Sequence, residues 1–395
     1  MIEDVAEAES LAPEWDALAV ARSLPLCAPG WMLSWWRHLA PPASELRVVA
    51  VRDGGRLVAL APWFVQVGTG GRTDVRFLGA ELSDRVDVLC ESGREREVAE
   101  ALRRALAQLR PRPDVIAFEA VPIASLWTRR LAGGWDGRMR FARYRNSAYP
   151  APAVTLPPGP PGEWLARRSS NFRSQMGRMR RRLEQRGGAV RQIVEPAEVD
   201  GAVSALLELN AGRWEGRGVS NLARPGVAEL LRDAARALGP ERLRLWAVEL
   251  DGELISVQLF LAAGEEIKYW NGGWSEAHAD VKPSMLTILA ALEDAIARGQ
   301  TRLDLGVGEH PYKMRFADTE DTLTWGGLVV RNRRWPRTAA ELAPKVLRYR
   351  AKLLVRRLPE PLAERAASAV RARRAAGPGS EPEPESESES GSGSR

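Results

Sequence analysis

Two stretches of this chain follow one pattern. LRVVAVRDGGRLVALAPWFVQ (46–66) and LRLWAVELDGELISVQLFLA (243–262) each hold two alternating apolar runs around an Asp-Gly turn signal, the mark of a β-hairpin. Aligned without a gap at a shift of 197 positions, Ala50-Val51 falls on Ala247-Val248, Gly55 on Gly252, Leu57 on Leu254 and Val58 on Ile255. The flanks agree as well. The first hairpin is followed by strands DVRFLGA and RVDVLCE, a helix over 94–110, strand DVIAFEAV and the short helix ASLWTRRLAG. The second is followed by strand EEIKYWNGGW, a helix over 284–299, strand TRLDLGV, a short helical HPYKMRF and strand LTWGGLVV. An internal duplication restricts the fold more than any other feature, because whatever one copy builds the other must also be able to build. The expectation is an α/β protein of two tandem lobes, each a mixed sheet flanked by helices.

At 395 residues the chain exceeds what one hydrophobic core usually supports. The Pro/Gly-rich LPPGPPGEW (156–164) is the natural linker. This gives a first lobe over 1–155, opening with two short helices inside 14–40 that break at Pro25 and Pro29. The second lobe, 165–330, opens with an arginine-rich helix over about 163–186, strand AVRQIV and helices over 198–213 and 226–238. Residues 331–375 read as a basic helical extension, with Leu342, Val346, Tyr349 and Leu353 on one face. Residues 376–395 form an acidic low-complexity tail, expected to be disordered because no apolar side chain offsets its ordering entropy.

The net charge of +6 is unevenly placed. Residues 331–375 carry fourteen Lys or Arg against three Glu, and 376–395 carry five Glu against one Arg, so 1–330 is nearly neutral at −1. Arginine outnumbers lysine 52 to 5, a bias that reflects coding composition at least as much as phosphate recognition. The run SSNFRSQMGRMRRRLEQRGG (169–188) is amphipathic. Phe172, Met176, Met179 and Leu183 form its apolar side, and Arg173, Arg180 and Arg181 lie opposite. It reads as a solvated face with local ion pairs, as the rim of an anion site, or as a nucleic-acid contact. The last lacks the interleaved aromatics or recognition motif that nucleic-acid binding calls for. Two cysteines, Cys27 and Cys90, imply no disulfide framework, and the start MIEDVAEAES lacks the pattern of a signal peptide. A cytoplasmic protein is expected. Its basic extension suits an anionic membrane surface, such as the inner membrane face, as well as RNA, or packing across the body.

Chemistry-bearing residues concentrate in 269–316. Lys282-Pro283-Ser284 opens a helix, where free backbone N–H groups and the dipole favour phosphate and Lys282 adds charge. Ser284 suits the N-cap, with Pro283 shifting the cap by a residue either way; an ordinary capped helix is the alternative. Asp304 stands alone among apolar neighbours in its strand, so it needs a partner such as Lys313, or a role. Gly306 and Gly308 loosen the strand end, and Glu309, His310, Tyr312 and Lys313 crowd the following turn. A helix-surface pair of Glu309 with Lys313 is the plain alternative there. With no Cys or His cluster at ligand spacing, no metal site is expected.

On NFRSQMGRMRRRLEQRGG, AVELDGELISVQLF, YWNGGW, KPSMLTILAALEDAIARG and LDLGVGEHPYKMRF, the second half resembles the CelD-like acyltransferases of the GNAT superfamily. Their duplicated GNAT-like lobes are shared with Fem-type peptidyltransferases. WMLSWWRHLA, LVALAPWFV and VRFLGAELSDRVDVL resemble that family's first half, so the likeness spans about residues 10–330. The resemblance implies two tandem GNAT-like lobes and acyl transfer from acyl-coenzyme A, most often acetyl, to an amine or hydroxyl, often for cell-surface polysaccharide. It implies that Lys282, Pro283, Ser284 and Met285 receive the coenzyme's diphosphate, with Asn271 and Gly272 beside the pantetheine arm between two splayed strands. Asn171, Arg173, Tyr269 and Trp270 would meet the acceptor. Of the catalytic candidates, Asp304 or Glu309 would be the base, Tyr312 the proton donor to the leaving thiolate, and Lys313 a binder of an acidic group or an orienter of Asp304. One departure is that ADVKPSM lacks the glycines of the usual diphosphate loop. The rival readings are a GNAT-like scaffold that has lost donor binding and a nucleic-acid-binding protein acting through its arginines.

Overall fold

In the computed structural model, which describes residues 1–133, 140–214 and 220–355, the repeat is written into backbone geometry. The first half runs α1 (Val5–Ser10), α2 (Ala12–Ala21), α3 (Pro29–Leu39), β1 (Glu45–Asp53), β2 (Arg56–Val67), β3 (Thr73–Phe77), β4 (Leu89–Cys90), α4 (Glu95–Gln108), β5 (Val115–Pro122), α5 (Trp127–Ala132) and β6 (Phe141–Thr155). The second runs α6 (Pro161–Ala166), α7 (Ser170–Gln185), β7 (Ala189–Ile193), α8 (Pro196–Trp214), α9 (Val227–Arg242), β8 (Leu243–Leu250), β9 (Glu253–Ala263), β10 (Glu266–Trp274), α10 (Pro283–Ala297), β11 (Arg302–Asp304), α11 (Pro311–Met314) and β12 (Thr319–Val330). Helix α12 (Trp335–Val355) follows. The rest of the basic extension and the acidic tail lie outside the described residues.

Both hairpins turn through two left-handed residues, Gly54 (φ 55°) and Gly55 (φ 87°) in one, Asp251 (φ 54°) and Gly252 (φ 79°) in the other. That conformation matches the strand twist and selects Asp-Gly or Gly-Gly. The bulges also coincide. Val51 pairs with Ala59 but Arg52 with Leu57, leaving Val58 unopposed. Val248 pairs with Ser256 but Glu249 with Leu254, leaving Ile255 unopposed. Every one of these positions obeys the shift of 197 read from the sequence. In each half the strand after the hairpin then pairs in parallel with the strand after the long helix, β3 with β5 and β10 with β11.

The halves do not make two sheets. They share one 12-stranded sheet, in the order β1-β2-β3-β5-β12-β6-β11-β10-β9-β8-β7, with β4 beside β2. Each half lends its last strand to the other: β12 lies against β5 from Leu323↔Pro122 to Val329↔Val115, and β6 lies against β11 from Arg302↔Thr155 to Asp304↔Ala153. The two lent strands pair along their whole length, Phe141↔Val330 to Ala153↔Thr319. Residues 156–164 join β6 to the start of the second half, while the sheet and its packing run across that point. The main core likewise joins Trp31, Leu33, Phe64 and Phe77 of the first half to Leu206, Leu230 and Leu231 of the second. α3 and α9 approach so closely that a Cβ on Gly30 would sit 2.9 Å from Leu238 Cδ2.

The second core lies between the β8–β10 face and α7 with α10. It buries Phe172, Met176, Met179 and Leu183 of the amphipathic run against residues such as Phe260, Ile288 and Leu292. α12 turns Leu342 onto Val115 and Val329, with Ala142 and Tyr144 beside it. The apolar stripe of the basic extension is thus used at its start for packing on the body, while Leu347 and Leu354 stay exposed. The strand expected at RVDVLCE shrinks to Leu89–Cys90, because Gly79, Glu81 and Arg85 adopt positive φ and turn 78–87 toward the second half.

Candidate functional site

The pairing of β10 with β11 covers only Glu266↔Arg302, Ile267↔Leu303 and Lys268↔Asp304. Beyond Lys268, β10 continues to Trp274 while Gly306 (φ 75°) and Gly308 (φ 100°) swing the other chain away to α11. The two strands splay. On its other side β10 stays paired with β9, except for a bulge at Trp270, between Tyr269↔Phe260 and Asn271↔Leu259. The backbone of β10 past Lys268 therefore faces a gap on one side only.

Tyr269 and Tyr312 bring their phenols together across that gap. Tyr269 is buried, and both phenols are held above their ordinary value, first by burial. A Cβ at Gly272 would lie 2.7 Å from Gln258 Cγ and 3.0 Å from the Tyr269 hydroxyl, so only glycine fits beside them. The Gly272 N–H donates to Asn271 Oδ1 (2.8 Å), and Asn210 Nδ2 donates to Gly272 O (3.0 Å), so α8 fixes the far end of β10. Gln258 is buried with Oε1 unpartnered. His310 stacks on Tyr312 at 5.9 Å and 16°. Partial burial, then Lys313 and Arg213, push its imidazole below the ordinary value, which keeps it neutral near pH 7. Glu309 is exposed at the same rim.

α10 begins at Pro283 beyond the gap. Its N-cap is Lys282, in a left-handed conformation (φ 45°, ψ 60°), with no side chain capping the first turn. Ser284 is not the cap; its Oγ is buried and has no hydrogen-bond partner. Met285 N–H is taken by Lys282 O (3.0 Å). The first turn thus keeps donors of the kind that bind anions.

At the root of the splay lies a buried ionic network. Lys268 Nζ is 2.6 Å from Asp84 Oδ1 and 3.2 Å from Asp304 Oδ2. Arg85 Nε is 3.3 Å from Asp304 Oδ2 and 3.4 Å from Glu266 Oε1, and its Nη1 pairs with Asp321. Arg302 joins Glu266 (3.2 Å) to Asp321 (2.7 Å). Asp304 Oδ1 accepts the Gly306 N–H at 2.6 Å. Burial opposes ionisation of Asp304, but Lys268, Arg85 and the Gly306 amide outweigh it and hold the carboxyl below its usual range. Burial raises Glu266 to about 7.

These contacts place the expected site residues. Asp304 takes Lys268 and Arg85 as its ion partners rather than Lys313. Lys313 instead donates to Gly306 O (3.3 Å) and Val307 O (2.8 Å), and burial lowers it to about 8. Trp270 faces the first half, donating from Nε1 to Leu82 O (2.7 Å) and meeting Trp31 edge-on at 5.1 Å. Arg173 caps the carbonyls of Ala166 and Arg168, and Asn171 is exposed on the first turn of α7, so neither joins the tyrosine pair. Of the other arginines in that run, Arg180 pairs with Glu293 (3.5 Å), and Arg182 and Arg186 with Asp280 (3.7 and 3.4 Å) in the loop before α10. Asp84, Arg85, Lys268, Glu266 and Gln258 escaped the sequence reading. The interruption of an apolar strand by Lys268 was the one visible signal. Among the described residues, no group of three or more His, Cys, Asp or Glu side chains is arranged to hold a metal ion, and no helix is long and apolar enough to cross a membrane.

Residues 170–314 match the family model described as an acetyltransferase (GNAT) domain. They include the splay, α10 and α11. Residues 170–314 are thus similar to a GNAT acetyltransferase domain, and they sit within a GNAT-like α/β fold of mixed sheet and flanking helices. Among solved structures it is similar to FemX at 12% identity over 82% of this chain and 96% of that one, with a TM-score of 0.57. It is also similar to a DUF2156 domain from Agrobacterium fabrum, described as the C-terminal domain of a lysylphosphatidylglycerol synthetase (10% identity, 87% and 96% covered, TM-score 0.52). A third is L-PGS from Bacillus licheniformis (12%, 87% and 97%, 0.50). At these identities the likeness speaks to fold alone. No curated protein matches the chain.

Proposed function

We propose that this protein is an acyl-CoA-dependent N- or O-acyltransferase of the CelD-like kind, acting on a small molecule or a sugar precursor of polysaccharide. The observation that carries the reading is the splay of β10 from β11, closed by Tyr269 and Tyr312 and facing the uncapped start of α10. The amides of that first turn, the unpartnered Ser284 Oγ and the exposed Lys282 form a donor set suited to a diphosphate. Asn271 and Gly272 would flank the thioester arm, with Pro283 and Met285 shaping the helix mouth. Tyr312 is placed to donate a proton to the leaving sulfur, because its phenol stays protonated far above neutral pH. His310, neutral and stacked beside it, or Glu309 at the rim, would accept the proton of the attacking amine or hydroxyl. Two clefts near 350 and 310 Å³ adjoin Arg72 with Glu341 and Asp16 with Arg242, away from the splay, where the tyrosine pair forms the closure.

That closure, together with the glycine-free loop, is also what favours the second reading, a GNAT-like scaffold without donor binding. A nucleic-acid role draws little support, since Arg180, Arg182 and Arg186 are engaged by the protein's own acids. The exposed Leu347 and Leu354 on basic α12 would suit peripheral contact with an anionic membrane face of the cytoplasm. Thermal unfolding with acetyl-CoA decides between the first two readings. At ~100-fold excess over Kd a bound donor adds about 2.7 kcal/mol, and thiol release with amine or sugar acceptors should follow. No shift with any acyl-CoA or with free coenzyme A would leave the scaffold.

A further inference from the structure

The first half has its own counterpart of the splay. β3 and β5 pair in parallel only at Asp74↔Val115 and Val75↔Ile116. Past that point the gap is filled by the protein itself. Arg76 bridges it with two hydrogen bonds to Glu119 (2.9 and 2.8 Å), and the Arg85 N–H donates to Ala120 O at 2.7 Å. The loop that enters, 78–87, bends through Gly79, Glu81 and Arg85 at positive φ. A left-handed arginine is strained, and such strain persists only where the surroundings enforce it. Here they do. The same two residues, Asp84 and Arg85, reach out of the filled gap into the root of the second splay, where they pair with Lys268 and Asp304.

From this geometry we infer that the loop plugging the first half's gap braces the second half's site, with Asp84 and Arg85 as positioning residues for the Tyr269–Tyr312 pair. One arm runs from Asp84 to Lys268. Side chains alternate along a strand, so holding Lys268 toward the first half commits the next residue, Tyr269, to the α10 face. The other arm runs from Arg85 to Asp304, whose second oxygen holds the Gly306 amide and so the turn that leads to Tyr312. Trp270, bonded to Leu82 O of the same loop, clamps the bulge between the two arms. The first half therefore has no donor gap left, and the second cannot set its tyrosines without the first.

This inference rests on the proposed transferase reading for its kinetic test but not for its structural one. In the full chain, Arg85→Gln should lower kcat by about 10- to 100-fold with donor Kd within about threefold, and Arg85→Lys should recover most of the loss. Calorimetric titration of the wild type with acetyl-CoA should give one donor per chain. An unchanged kcat in folded Arg85→Gln, an equal loss in Arg85→Lys, or two donors per chain would overturn the inference. If no acyl-CoA binds, the transferase reading fails while the brace stays testable by hydrogen exchange. In Asp84→Asn, the milder variant, amides over 266–274 and 304–308 should exchange faster while those of β1 and β2 hold. Unchanged exchange at 266–274 and 304–308 rejects the brace.

Discussion

The phenols of Tyr269 and Tyr312 meet across the gap between β10 and α11. One phenol sits on a strand fixed by the sheet and the other on a short helix that follows a glycine turn, so the pair reports on both walls of the splay. If Tyr312 is the proton donor, Tyr312→Phe should lower kcat by about 10²- to 10⁴-fold and leave the donor KM nearly unchanged. Thiol release at saturating donor measures this. Activity retained in that variant would remove Tyr312 from the chemistry.

Ser284 gives a test that separates binding from stability. An aspartate there would place negative charge in the first turn of α10, where the helix dipole favours it by about 0.3–1 kcal/mol while burial of the side-chain oxygen opposes it. The same charge would oppose a diphosphate. Ser284→Asp should therefore still fold and melt cooperatively yet lose the acetyl-CoA thermal shift. A preserved shift would place the donor elsewhere.

Asp304 is fully buried between Lys268 and Arg85. Asp304→Asn keeps the shape but strands positive charge in the interior, at a cost of about 3–5 kcal/mol. Urea unfolding at pH 7 should show that loss. A change under about 1 kcal/mol would mean the network tolerates the missing charge.

Lys313 makes stability depend on pH. Burial, aided by Lys268, brings its ammonium from 10.5 down to about 8. Between pH 8 and 10.5 the unfolded chain holds a proton that the folded chain has released, so stability rises with pH in that window. Below pH 8 the buried charge costs the fold up to about 3 kcal/mol. Lys313→Met should flatten the rise, as read by denaturant midpoints across pH 7–10.5. A rise of equal size in the variant would assign it to another group.

The strand exchange predicts the fate of an isolated half. A chain of residues 165–355 keeps β7–β11 but lacks β6, the neighbour of β11, and β5, the neighbour of β12. It should fail to give a monodisperse protein with a cooperative melt, whereas 1–355 should fold. Size-exclusion chromatography and circular dichroism distinguish the two.

The hairpins and their turns were legible because each depends on neighbours close in sequence, while the matched bulge showed only in the strand register. Alternation placed the strands, Asp-Gly placed the turn, and the shared shift carried one copy onto the other. β6 was not legible. FARYRNSAYPAPAVT carries Pro150 and Pro152, which argue against a strand, yet Pro150 and Pro152 also accept the Gly308 and Leu305 amides through their carbonyls. At the site, the turn holding Tyr312 and the start of α10 could be read from local chemistry. The partners of Asp304 could not. Lys268 lies on a neighbouring strand and Arg85 on a loop of the other half, so their meeting is a product of the exchanged sheet rather than of any spacing.

That exchange also bears on how the chain is made. β5, rich in Val, Ile and Phe, cannot acquire its neighbour β12 until Thr319–Val330 has left the ribosome, long after Val115–Pro122 has emerged. For that interval an apolar strand edge of the nascent first half stays open to any other extended segment. Slower elongation would lengthen this exposure, so the yield of native protein should depend on translation speed and on holding chaperones more than the final stability alone would suggest.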